Sequence, residues 1–85
     1  MIFFVRFPPD ADLPAEAIEE IVQSCLGRSG SVIGASEGAI DVELSDANPA
    51  AALAVLAAEL RAAGVPPSTM IDIPSRGLRL GIHEV

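Results

Sequence analysis

The sequence predicts an α+β domain in which two helices cover one face of an antiparallel sheet. Runs rich in Val, Ile and Phe, or alternating apolar with polar residues, fall at 1–7, 31–36, 39–45, 69–73 and 78–84. Such runs are the signature of strands. Two longer segments between them carry apolar residues at helical spacing, and Pro or Gly separates one segment from the next.

The first run, "MIFFVRF", sets Phe3, Val5 and Phe7 on one face and Ile2, Phe4 and Arg6 on the other. It stops at Pro8-Pro9, and "PPDADLP" follows as a loop. Asp12 is placed to cap a helix whose first turn holds Pro14. Ile18, Ile21, Val22 and Cys25 form its apolar stripe, Glu16, Glu19 and Glu20 lie off it, and Gly27 ends it. "SVIGAS" (31–36) is a weaker strand, and Glu37-Gly38 turns the chain into a strand over 39–45. There Ile40, Val42 and Leu44 alternate with Asp41, Glu43 and Ser45.

Asn48-Pro49 starts a second helix, with Asn48 as the cap and Pro49 in the first turn. Its stripe is Leu53, Leu56, Ala57 and Leu60, and Gly64 with Pro66-Pro67 ends it. "TMIDI" (69–73), a "PSRG" turn and "LRLGIHE" (78–84) complete the chain as two more strands. The order β-α-β-β-α-β with an extra C-terminal strand is the ferredoxin-like plan, here one domain over residues 1–85. Right-handed crossovers then put the first strand beside the third, with the second and fourth outside them.

On this plan Ile40, Val42 and Leu44 face the helices, while Asp41 and Glu43 share the open face with Arg6, Phe4, Met70 and Asp72. The plainest role for Arg6 is an ion pair with Asp41 or Glu43. Strand directions bring the loops at 8–12, 36–38 and 64–68 to one end, gathering Asp10, Asp12 and Glu37 there.

Twelve acidic residues against five arginines give a formal net charge of −7. That balance disfavours nucleic acid and anionic membrane as partners, since phosphate binding rests on clustered cations. It favours a basic protein, or serves solubility alone. The single cysteine cannot close an internal disulfide, "MIFFVRF" is too short for a signal-peptide core, and no apolar run spans a membrane. A cytoplasmic location is expected.

Catalytic chemistry is sparse. His83, the one histidine, falls on the last strand, and Cys25 completes an apolar stripe rather than an electropositive site. Paired carboxylates do acid–base work in a pocket that separates their pKa values, which an open sheet face does not supply. There is no zinc-ligand spacing, EF-hand loop or CxxC, and "GRSGS" (27–31) lacks the pattern of a phosphate loop. No cofactor, metal or catalytic residue is expected. RNA-recognition motifs share the topology but stack bases on sheet aromatics, whereas here Phe4 stands alone among carboxylates.

"PPDADLP" before a helix resembles the ligand loop of ACT-type regulatory domains, without the glycine usual there; that resemblance implies a small molecule bound at a homodimer interface. Acylphosphatase shares the fold, but its anion-cradling loop has no counterpart in "FPPDADLPAE". The small, acidic, cysteine-poor chain with its "GVPPST" joint after the second helix resembles bacterial proteins of the immunity-protein kind. That resemblance implies a non-enzymatic inhibitor of a toxin domain, and the acidic charge points to a basic one, such as a nuclease. The expected partner-binding residues are Asp10, Asp12, Glu37, Asp41 and Glu43. An ACT-like regulatory dimer and a self-associating assembly module are the alternatives.

Overall fold

The structure is a computed structural model describing residues 1–8, 13–36, 38–45 and 48–84. Five strands form one antiparallel sheet: β1 (Ile2–Arg6), β2 (Gly30–Ser36), β3 (Ala39–Leu44), β4 (Met70–Ile73) and β5 (Leu78–Gly81). Helix α1 (Ala15–Leu26) joins β1 to β2, and α2 (Pro49–Ala63) joins β3 to β4. The strand order across the sheet is β2-β3-β1-β4-β5. This is a small α+β architecture compatible with the ferredoxin-like class.

Alternation sorts the residues of the three inner strands into two faces. Phe3, Val5, Ile40, Val42, Leu44, Ile71 and Ile73 are buried on the helix side. Ile18, Val22 and Leu26 of α1 and Leu53, Leu56, Ala57 and Leu60 of α2 close over them. At about 25 cal/mol per Å² of buried apolar surface, this single layer of apolar contact is the main favourable term holding the fold. Ile82, Val65 and Thr69 are also buried, and sequence patterning had not assigned them to the core.

Several element ends differ from expectation. Helix α1 begins at Ala15, so Pro14 precedes the first turn, and its carbonyl accepts from the Ala17 and Ile18 amides. Asp12, expected as the cap, lies outside the described residues. The fully buried stripe of α1 is Ile18, Val22 and Leu26, while Ile21 and Cys25 sit half-buried on the side facing α2. Packing against the sheet and a second helix at once widens the stripe that one helix must offer.

Helix α2 follows its sequence signals closely. The Asn48 side chain accepts from the Ala51 amide, Pro49 opens the first turn, and Gly64 ends the helix at φ 83°, a backbone region that suits glycine. The final strand is shorter than expected, ending at Gly81 rather than at 84. There the Glu84 carboxylate accepts from the Gly81 amide, the chain turns, and the Ile82 amide donates to the Thr69 carbonyl. Arg61 of α2 holds the Ile82 carbonyl, which ties this terminal turn to the helix layer. His83 is exposed in the turn, beyond the strand.

Candidate functional site

The open face is built by register. Cross-strand pairing aligns Gly34, Asp41, Phe4, Asp72 and Arg79 in one row across the sheet. A second row runs Ser36, Ala39, Arg6, Met70 and Gly81, and Glu43 lies between Ser31 and Ile2.

Arg6 does not pair with Asp41 or Glu43. Its Nε donates to Asp72 Oδ2 at 3.1 Å, and Arg79 Nη2 reaches the same oxygen at 3.4 Å. Alternation assigns a residue to a face but does not say which flanking strand it leans toward. Arg79, directly opposite Asp72, fixes that carboxylate between two guanidiniums. The Arg6 guanidinium also lies 5.7 Å from the centre of the Phe4 ring, within cation–π range.

The two ends of the face therefore differ in charge. The β4–β5 end holds Asp72 between two arginines, with the Glu84 carboxylate folded against Gly81. Toward β2, Asp41 and Glu43 enter no ion pair among the described residues. Asp41 leans outward, its Oδ2 only 3.2 Å from where a Cβ on Gly34 would stand. The missing side chain at Gly34 leaves room for this carboxylate over the sheet's outer strand. Of the five residues expected to bind a partner, Asp41 and Glu43 are thus brought together beside β2. Asp10, Asp12 and Glu37 lie outside the described residues.

A second acidic zone, not among those residues, flanks the same strand from the helix side. Glu16, Glu19, Glu20 and Gln23 of α1, with Val32 of β2, line a notch of about 410 Å³. The charges were visible in the sequence, but their position over the β2 edge depends on how α1 lies across the sheet. A larger groove of about 660 Å³ runs between the helices, lined by Ala17, Ile21, Cys25 and Val55 with Glu20 and Glu59 at its walls. Burial raises the pKa of the Cys25 thiol above its ordinary value, and the Glu59 charge raises it further.

Among the described residues no group of three or more His, Cys, Asp or Glu is arranged to hold a metal ion. No described helix is long and apolar enough to cross a membrane. No family model matches the chain, and neither a curated protein nor a solved structure matches it.

Proposed function

We propose that this chain is a non-enzymatic, ferredoxin-like protein-binding module that covers a basic surface of a partner, as an immunity-type inhibitor covers a toxin domain. The observation that carries the reading is the uneven charge of the open face. Asp72 is neutralised by Arg6 and Arg79, whereas the exposed Glu43 and the half-buried Asp41, beside β2, enter no ion pair among the described residues. Unpaired carboxylates accelerate encounter with a cationic partner and favour it over others. A nuclease site is one such partner, since it is built to attract phosphate and a carboxylate pair offers comparable oxygens. Asp10, Asp12 and Glu37 extend the proposed contact from the sequence alone. A cytoplasmic location belongs to the same reading.

The test is recovery of a partner from native lysate with the chain as bait, at low and high salt, beside the Asp41→Asn/Glu43→Gln variant. A basic protein retained at low salt, released at high salt and lost with the double variant supports the reading. A partner held equally by the variant and insensitive to salt overturns it.

A further inference from the structure

Strand β2 is the outer edge of the sheet, and its sequence "GSVIGAS" has no charge and no proline, two common devices against edge pairing. It carries a bulge between Val32 and Gly34, and Ile33 there is 51% exposed. The first part of the edge is occupied from within. Gln23 Nε2 donates to the Gly30 carbonyl at 3.2 Å, and Gln23 Oε1 accepts from the Val32 amide at 3.1 Å. A carboxamide offers the same donor and acceptor as a peptide group, so Gln23 stands where the backbone of a neighbouring strand would stand.

From this geometry we propose that the β2 edge receives an extended, basic segment of the partner as an added strand, with Gln23 as a plug that the segment displaces. The proposal rests on the basic-partner reading above and says how that partner is held. Side chains of an added strand alternate between the two faces of the sheet. On the helix side they meet the notch under Glu16, Glu19 and Glu20; on the open side they meet Asp41 and Glu43. None of these five carboxylates enters an ion pair among the described residues. Lys or Arg on either face of the segment is therefore matched. A second copy of this chain brings the same carboxylates to the same edge, and like charges oppose that pairing. Displacing Gln23 exchanges its two edge hydrogen bonds for backbone ones and gives up its longer one to the Gly27 carbonyl, at 3.4 Å, and the freed carboxamide is already at the exposed surface.

The test uses three acetylated, amidated seven-residue probe peptides: alternating Lys and Val, alternating Glu and Val, and the Lys peptide with alternate backbone amides N-methylated. Binding to the folded chain is followed by NMR, observing the Val32 amide and the Gln23 side-chain amide. The expected result is that the Lys peptide shifts both signals and the N-methylated form binds about tenfold more weakly or worse. Gln23→Met keeps the stem but removes the competing bonds, and should tighten the Lys peptide about fivefold. The unmodified protein with the N-methylated peptide tests strand addition even if that variant folds poorly. Equal binding of both Lys peptides, abolished by Asp41→Asn/Glu43→Gln, overturns the strand and leaves the acidic surface standing. Binding of neither Lys peptide at low salt removes both readings. Concentration-dependent dimerisation of Gln23→Met without peptide binding assigns the edge to a second copy and overturns the proposal.

Discussion

Arg6 and Asp72 are diagonal neighbours on β1 and β4, joined Nε to Oδ2 at 3.1 Å, and the same oxygen is shared with Arg79 at 3.4 Å. The carboxylate side chain is 17% exposed and the two arginines are 50% and 62% exposed. Pairs so open to water contribute little, so Asp72→Asn should cost about 1 kcal/mol or less, and less still in high salt. The electrostatic consequence is larger than the energetic one. That variant leaves two unmatched guanidiniums on the open face, and association with a basic partner should slow although no contact is removed. Urea melts at two salt concentrations check the first expectation, and association kinetics check the second. A loss above about 2 kcal/mol would make the triad a structural element instead.

The Thr69 hydroxyl raises the opposite case, a polar atom inside. Thr69 is fully buried, and its Oγ1 has no hydrogen-bond partner among the described residues. Its backbone is satisfied, the amide donating to the Pro66 carbonyl and the carbonyl accepting from Ile82. Thr69→Val keeps the shape and removes the desolvated hydroxyl, so it should stabilise the domain by about 1–2 kcal/mol. Thr69→Ser keeps the hydroxyl and loses the buried methyl, and should destabilise by about 1 kcal/mol. Chemical denaturation of both variants decides, and a destabilised Val variant would show that the hydroxyl has a partner.

What the sequence reveals differs along this chain for physical reasons. Helix α2 was legible because Asn48, Pro49 and Gly64 act within a few residues of where they sit, and so was β3, whose alternation is strict. The end of β5 was not legible. Its pattern continues through His83, but Glu84 and the burial of Ile82 under long-range contacts turn the chain at Gly81. Sequence patterning placed Asp41 and Glu43 on the open face but joined Arg6 to the wrong neighbour, since face and lateral partner are separate questions. Gln23 gave no signal at all. It is an ordinary polar residue on an exposed helix face until α1 is laid beside the β2 edge.

Cys25 yields a prediction in pH. Burial is the larger cause of its raised pKa, with the Glu59 charge second. The thiolate is the reactive species, so alkylation at neutral pH should be slow and should rise with pH around a midpoint above that of a free thiol. Glu59→Gln should move that midpoint down, by the smaller part of the shift. Linkage follows the same sign. The unfolded chain ionises this thiol at lower pH, so its contribution to stability is complete below the unfolded pKa and is lost as pH rises through the folded one. Fast alkylation at neutral pH in the folded state contradicts this and returns Cys25 to consideration as a nucleophile.

Strand β3 carries the sharpest separation of folding from recognition, because its two faces meet different worlds. Ile40 and Val42 are fully buried and Leu44 is 2% exposed, against Glu43 in solvent and Asp41 at the partly covered middle of the sheet. Ile40→Ala or Leu44→Ala removes core volume and should cost about 2–5 kcal/mol, a large share of a domain's usual 5–15 kcal/mol. Asp41→Asn with Glu43→Gln keeps the side-chain shapes and breaks no ion pair among the described residues, so melting should change by about 0.5 kcal/mol or less. Binding should divide the other way. The core variants, where still folded, should hold a basic partner with unchanged affinity. The neutralised pair should associate more slowly and lose much of its salt dependence. Carboxylates desolvated against a partner arginine would add faster dissociation, with about 2–5 kcal/mol at stake. Thermal melts and binding kinetics of these variants at two salt concentrations give both columns. If the neutralised pair unfolds early while binding and its salt dependence persist, Asp41 and Glu43 belong to the fold, and the partner's cations meet some other part of the surface.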